Sequence, residues 1–183
     1  MDTMPRPAVD DRIFDAALEL LRSRGPAAVS IESVAASSGI AKTTIYRRYD
    51  NSESLLTAAI KSATTAVEIP DGLAAQDALR WVLRHARDTI EHVVGRGTVA
   101  AVMTDSDPGF TTLMLGMIRS TTHPFRTDLG QRVHSGELRS DLDIELAISI
   151  LLGVVVAEII RNRPTDDEWV DSVLALVWPS FAP

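Results

Sequence analysis

The sequence predicts an all-α fold of two domains, with a helix-turn-helix unit in the N-terminal domain. Apolar residues recur at intervals of three and four along most of the chain, which is the period of one helix face. Breaks that contain glycine or proline divide these stretches into lengths of one helix each. No stretch sustains the two-residue alternation that a half-buried strand requires, so we predict no sheet.

The composition limits the class of protein. The chain has 183 residues, 45% of them hydrophobic, and no cysteine. This excludes a disulfide framework, a thiolate nucleophile and a zinc site with sulfur ligands. No apolar run reaches the roughly 18 residues of a membrane span, and no segment has the pattern of a secretory signal. We therefore expect a soluble, cytoplasmic protein.

The first predicted helix spans residues 9–24 and follows a loose tail of eight residues. The pair Gly25-Pro26 ends it, as glycine and proline commonly do just beyond a helix C-terminus. Arg6 in the tail could reach into a DNA minor groove, although an arginine in a tail is more often only solvated.

Two short helices follow and form the helix-turn-helix unit. Ser30 is placed to cap the first of them, over residues 31–37. Gly39 suits the positive φ of a tight turn between helices. The next helix covers about residues 41–49. In such a unit this later helix enters the major groove, with its N-terminal residues at the base edges.

Basic residues gather on that helix although the chain has a net charge of −7. Residues 1–64 contain eight basic and eight acidic side chains, so the excess acid lies in the rest of the chain. No acid occurs between Ala41 and Tyr49, where a carboxylate would repel a DNA backbone. The residues expected at bases or nearby phosphates are Lys42, Thr43, Thr44 and Arg47.

The next helix, capped by Asp50 or Asn51, precedes a clear break at residues 69–72, Ile-Pro-Asp-Gly. This break predicts one domain over residues 1–66 and a second over residues 67–183.

The second domain is predicted to be helical throughout. Its helices cover about residues 79–94, 98–104, 108–135, 143–161 and 165–178. Pro124 should break or kink one of them, because proline lacks a donor and clashes one turn back. Residues 144–160 are apolar on nearly every face, which is more than one packed neighbour requires. This helix and the last one are therefore predicted to pair with their copies in a homodimer.

The stretch GIAKTTIYRRYDNSESLL, residues 39–56, resembles the signature of the TetR family of bacterial transcriptional regulators. The resemblance extends back through the first helix and covers about residues 9–60. It consists of a glycine and an aliphatic residue, an aliphatic-tyrosine pair, a basic residue, an aromatic residue, a cap, and an acid before leucines. The matching positions are Gly39, Ile40, Thr44, Ile45, Tyr46, Arg48, Tyr49, Asn51, Glu53 and Leu55.

This resemblance implies a homodimeric regulator, most often a repressor, that binds a double-stranded DNA operator through its first domain. The second domain would dimerise and bind a small-molecule effector. The resemblance also implies phosphate contacts for Ser30, Tyr46 and Arg48, beside the four residues already named.

Three positions depart from the family pattern. Ala41 stands where many members have Ser or Thr, so a cap or phosphate contact is missing there. Tyr49 replaces the commoner Phe or Trp and is expected to pack. Ser52 stands where Lys is usual, which removes one expected phosphate contact at the head of its helix.

A polar stripe lies opposite the apolar face of the helix at residues 79–94. It contains Trp81, His85, Asp88 and His92. The stripe can be a solvated or interface face or the wall of a ligand pocket, and it makes a weak metal site, because one helix supplies no fourth ligand. We predict no metal and no cofactor. Methionine suits adaptable apolar sites, so the predicted pocket residues are Trp81, His85, Met103, Met114 and Met117.

Two rival functions stay open at this point. A helical small-molecule-binding or scaffold protein without a DNA role would share the fold but would lack salt-dependent binding to duplex DNA. An enzyme is the weaker rival. The sequence has no nucleophile elbow, P-loop, dinucleotide fingerprint or Glu-x-x-His pair of a di-iron bundle.

Overall fold

The structure is a computed structural model that describes residues 8–64 and 68–183, and in these ranges it contains nine α-helices and no strand. The helices are α1 (Val9–Arg24), α2 (Ile31–Ser38), α3 (Lys42–Tyr46), α4 (Ser52–Ala63), α5 (Ala75–Val93), α6 (Arg96–Thr104), α7 (Pro108–Ser135), α8 (Ile144–Arg161) and α9 (Asp167–Val177). Short 3-10 turns follow α1 and α9. The predicted all-α class is confirmed. Within the same ranges, no helix combines the length and apolarity that a membrane crossing needs.

The described residues group into two compact units. The first contains residues 8–64 and 92–114, and the second contains residues 68–91 and 115–183. The chain therefore returns to the first unit after α5 has begun, which the sequence had not indicated. The domain boundary at residue 66 stays a prediction.

Local signals determine where the short helices of the first unit begin and end. The backbone N–H of Ser33 donates to Ser30 Oγ at 3.1 Å, which caps α2. The N–H of Ser54 donates to Asn51 Oδ1 at 2.8 Å, which caps α4. Gly39 ends α2 with a φ of 68°, a left-handed conformation that glycine adopts without strain. These caps and this turn confirm the predictions made from the sequence.

The core of the first unit receives side chains from α1, α2, α3 and α4. Its fully buried members include Ile13, Leu21, Val34, Ile45, Leu55 and Ile60. Burial of one such side chain stabilises a fold by roughly 1.5–3 kcal/mol. Ile45 is the only buried residue of α3, so a single apolar side chain holds that helix to the core.

Helix α6 packs against α1 through the backbone. A β-carbon on Gly95 would overlap the carbonyl group of Arg22, and one on Gly97 would overlap the backbone at Gly25. The absence of side chains at these positions lets the N-terminus of α6 meet the C-terminus of α1. The two helix ends carry opposite partial charges, so their approach is favourable.

Within the second unit, arginines on one face of α5 pair with aspartates on α9. Arg80 Nε lies 2.8 Å from Asp171 Oδ1, and Arg87 Nη1 lies 3.0 Å from Asp167 Oδ1. The hydrogen bond from Arg87 lowers the pKa of Asp167. Both aspartates are largely exposed, so solvent screens the attraction. The main consequence of these pairs is a defined register between α5 and α9.

Helix α7 continues through Pro124, so of the predicted break or kink the break does not occur and the kink stays a prediction. Proline removes one hydrogen bond and clashes with the preceding turn, at a cost of about 3 kcal/mol. Phe125 and Leu129 follow it on the same helix and are both buried. Burial of two large side chains offsets a cost of this size. The rule that proline breaks a helix considers only neighbouring residues and does not include this burial.

Candidate nucleic-acid interface

The outer face of α3 is polar. Lys42, Thr43 and Tyr46 on the helix and Arg47 at its C-cap are exposed, whereas Ile45 on the opposite side is fully buried. Tyr46 is a large aromatic residue with half of its surface accessible, and no core requirement accounts for it. The four exposed residues are all among those predicted to contact DNA, and the fold leaves them accessible.

Helix α3 ends at Tyr46, three residues earlier than predicted. The backbone N–H groups of Arg48 and Tyr49 both donate to the carbonyl of Ile45 at 2.9 Å, which closes a turn in place of a further helical turn. Thr44 lies within α3 and is half-buried. Ala41, at the N-cap, offers no side-chain cap.

Arg48 and Tyr49 leave this turn toward the first turn of α1. Arg48 Nη1 donates to Asp10 Oδ2 at 2.7 Å, and the Tyr49 hydroxyl donates to Asp10 Oδ1 at 3.0 Å. The Tyr49 ring also lies 5.9 Å from the ring of Phe14. Burial and the hydrogen bond to Asp10 raise the pKa of Tyr49 to about 12. Tyr49 therefore packs, as predicted, and also makes a polar contact that the sequence had not indicated.

The first turn of α1 also reaches the turn that precedes α3. Arg12 Nη2 donates to the backbone carbonyl of Ser38, the last residue of α2, at 2.5 Å. Asp10 and Arg12 thus hold the two ends of the segment that carries α3. Neither residue could be selected from the sequence, because their partners lie 26 to 39 positions along the chain.

Two predicted residues lie at the α2 side of this surface. Ser30 uses its hydroxyl to cap α2, which occupies one of its hydrogen-bonding groups. Lys42 Nζ lies 3.4 Å from Glu32 Oε1, and both side chains are more than half exposed. A backbone hydrogen bond, followed by the contact with Lys42, lowers the pKa of Glu32. The pair is long and solvated, so a phosphate can replace Glu32 as the partner of Lys42 at little cost.

Of the predicted ligand-binding residues, the structure brings Trp81 and His85 together. Their rings stack with centroids 5.1 Å apart and planes 10° apart, and both side chains are half-buried in the second unit. Met117 is half-buried in the same unit. Met114 is buried and Met103 is 81% exposed, and both belong to the first unit. The exposure of Met103 gives no support to its role as a pocket wall.

The second unit also has an open cavity of about 600 Å³ that the sequence had not indicated. Its wall includes the segment 69–74 and the C-terminal part of α7. Arg132 is buried in this wall, and its guanidinium pairs with Asp128 at 2.8 Å and with Glu137 at 2.7 Å. It also donates to the carbonyl of Leu73 at 3.0 Å. The hydrogen bond to Leu73 ties the segment to α7, and the two ion pairs hold the Arg132 side chain in place.

Two further predicted features have no geometry in the structure. Arg6 and the side chain of His92 lie outside the described residues. Among the residues that the structure does describe, no three His, Asp or Glu side chains cluster closely enough to hold a metal ion.

Comparison with known proteins bears on both units. The model of "Bacterial regulatory proteins, tetR family" matches residues 13–59, and that of "Tetracyclin repressor-like, C-terminal domain" matches residues 69–177. The uncharacterized HTH-type transcriptional regulator YdeS of Bacillus subtilis is 28% identical over 177 residues, which cover 92% of this chain and 86% of YdeS.

Solved structures share the fold. The transcriptional regulator FadR from Bacillus subtilis, in complex with stearoyl-CoA, has a TM-score of 0.68 at 20% identity, over 91% of this chain and 96% of FadR. SmeT in its triclosan complex has a TM-score of 0.70 at 18% identity, over 97% of this chain and 93% of SmeT. The family resemblance noted in residues 9–60 is thus confirmed and extended to the second half. The chain belongs to the tetR family of bacterial regulatory proteins and is a DNA-binding transcriptional regulator.

Proposed function

We propose that the chain is a cytoplasmic repressor without catalytic activity that binds a palindromic operator as a homodimer and is released by a small-molecule ligand. The observation that carries the proposal is the outer face of α3, where Lys42, Thr43, Tyr46 and Arg47 are exposed around one buried anchor. Two such helices related by a two-fold axis would read half-sites about 34 Å apart, one turn of B-DNA.

The residue types on this face divide the work of recognition. A guanidinium can donate two parallel hydrogen bonds to guanine O6 and N7, so Arg47 is the proposed base reader. An ammonium group acts as a point charge, so Lys42 is proposed at a phosphate. Thr43 and Thr44 can hydrogen-bond to a phosphate or to a base and can offer a methyl group to thymine. Ser30, Tyr46 and Arg48 are proposed at phosphates around this centre.

Helix α8 supports the proposed homodimer because it has a second apolar face. Its inner face is buried within the second unit through residues that include Leu151 and Val155. Residues at alternating spacings of four and three stay accessible on the other side: Leu146, Ile150, Gly153, Ala157 and Ile160. This spacing is that of a seam between two packed helices.

The middle of this seam favours close approach of a second helix. A β-carbon on Gly153 would meet no described atom within 4 Å, and Ala157 follows one turn later. Small residues at this spacing let two helix backbones come together, while Leu146 and Ile160 would pack at the ends. A second copy of the chain is the proposed occupant, in a two-fold arrangement that buries the same patch on both copies.

Replacement of Arg47 tests the base reader. We expect Arg47→Ala to cost about 1–3 kcal/mol of operator affinity and to relax preference at one base pair per half-site. Lys42→Ala should instead weaken every duplex alike and lower the salt slope by about one ion. Fluorescence anisotropy on an operator selected from random duplexes, and on its single-base variants, measures both. Unchanged affinity of Arg47→Ala for operator and random DNA would contradict the assignment.

Ligand release is the second part of the proposal, and the stacked Trp81–His85 pair supports its location. A half-buried indole and imidazole can hold a mostly apolar ligand by stacking and one hydrogen bond. A compound that releases operator DNA, found by screening a library in the anisotropy assay, should quench Trp81 fluorescence at the same concentration. Trp81→Phe should abolish this quenching, whereas Trp169→Phe, the matched control, should preserve it. Equal quenching in both variants would place the pocket elsewhere.

A further inference from the structure

Asp10, in the first turn of α1, binds two residues that lie 38 and 39 positions later in the sequence. Its two carboxylate oxygens accept hydrogen bonds from consecutive residues, from Arg48 at 2.7 Å and from the Tyr49 hydroxyl at 3.0 Å. These partners lie two and three residues after the last residue of α3. The Asp10 carboxylate therefore makes two hydrogen bonds to the segment that follows α3.

The entrance to the same segment is held from the same turn. Arg12 donates to the carbonyl of Ser38 at 2.5 Å, and its Nη2 lies close to the position that a β-carbon on Gly39 would occupy, at 3.2 Å. Helix α3 itself has five residues, and a helix this short has no stability of its own. Its direction therefore depends on Ile45 in the core and on these polar contacts at its two ends.

The contact with Asp10 leaves Arg48 able to bind a second anion. A guanidinium has five N–H donors, and the hydrogen bond to Asp10 uses the Nη1 side. The Arg48 side chain is 36% exposed, so its other edge is accessible. The ion pair with Asp10 restricts the rotamers of the Arg48 side chain before DNA is bound. Binding of its outer edge to a phosphate then costs less side-chain entropy.

We infer that Asp10 is a positioning residue for operator binding, which acts through Arg48 and Tyr49 to fix the direction of α3 and to aim Arg48 at a DNA phosphate. The inference rests on the proposed DNA contacts of α3. It assigns a favourable role to an acid in a DNA-binding surface, where simple electrostatics predicts the opposite. Removal of the Asp10 charge should therefore weaken operator binding if Asp10 is a positioning residue, and should strengthen it if only electrostatic repulsion matters.

The matched control is Asp15, which lies further along α1, is exposed and forms no ion pair among the described residues. Asp15→Asn removes the same charge from the same helix and should leave DNA binding unchanged or slightly tighter. Asp10→Asn should weaken operator binding about fivefold relative to Asp15→Asn, the size of one lost surface ion pair. Its affinity for a random duplex of equal length should also fall, but by a smaller factor, because the phosphate contact of Arg48 is independent of sequence whereas the direction of α3 also affects base reading.

A double-mutant cycle separates positioning from a general loss of structure. In a chain that carries Arg48→Ala and Tyr49→Phe, both partners of Asp10 are absent, so Asp10→Asn should cause no further loss of operator affinity. A structural role unrelated to these partners would cause the same loss in either background. Thermal unfolding by circular dichroism establishes that each variant is folded at the assay temperature, and Tyr49→Phe alone, which removes one hydroxyl, gives a milder second test.

The outcomes distinguish this inference from the proposed function. A wild-type protein that binds neither duplex would overturn both. A wild-type protein that prefers its operator, with Asp10→Asn equal to Asp15→Asn, would overturn the role of Asp10 alone. A fivefold loss that persists in the Arg48→Ala, Tyr49→Phe background would also overturn it.

Discussion

Ile150→Glu is expected to convert a dimer into a monomer and to lower operator affinity by roughly 10²–10⁴-fold, the factor by which linked half-site binding exceeds single-site binding. Ile150 is 40% exposed within the accessible stripe of α8. An ionised carboxylate placed in an apolar seam costs several kcal/mol unless it is paired. The fold of a single copy should be retained, because the substituted side chain lies outside its core.

Sedimentation velocity and operator anisotropy, at the same micromolar concentration, measure the two effects. Met103→Glu is the matched control, since it adds the same charge at an apolar residue that is 81% exposed in the first unit. It should leave both measurements near wild type. Charges at Leu151 or Val155 would be less informative, because these residues are buried in their own unit and their substitution would unfold it. A dimeric Ile150→Glu protein would contradict the proposed interface.

Gly95→Ala is expected to destabilise the first unit by about 1–3 kcal/mol, the usual cost of overpacking. Its backbone, with φ of −94°, is one that alanine can adopt, so the effect comes from the overlap of the new β-carbon with the carbonyl of Arg22. Helix α6 would have to move away from α1. The midpoint of thermal unfolding should fall by roughly 2–4 °C for each kcal/mol lost.

Gly116→Ala is the control for this substitution. Gly116 lies inside α7, and a β-carbon there would meet no described atom within 4 Å. Alanine at such a site should be neutral or should stabilise the helix by about 0.5–1 kcal/mol. Thermal unfolding of the two variants followed by circular dichroism gives the comparison. Equal midpoints for Gly95→Ala and wild type would show that α6 can shift without loss.

Features of the fold could be predicted from the sequence where the residue that causes them lies within a few positions of the feature itself. Ser30 and Asn51 cap helices whose first turns they directly precede, and Gly39 adopts the left-handed conformation that its turn requires. The exposed face of α3 follows from the same local pattern, since Ile45 alone is apolar at a core position.

The sequence was insufficient where packing between distant segments decides. Pro124 stays helical because residues that follow it are buried. Tyr49 looked like a packing residue, yet its hydroxyl bonds to Asp10, which is 39 positions away. Such contacts depend on how helices cross, and no spacing along the chain encodes that. The predicted ligand residues remain predictions for the same reason.

The membership of α6 in the first unit has a consequence for the construction of hybrid regulators. A graft that exchanges residues 1–66 between two members of this family would transplant α1 and leave behind the helix that packs on it, since residues 92–114 belong to the same unit. The recipient's helix would then have to offer small residues where Gly95 and Gly97 meet α1. A functional sensor made by such exchange should therefore carry residues 92–114 together with the N-terminal segment, as one discontinuous module.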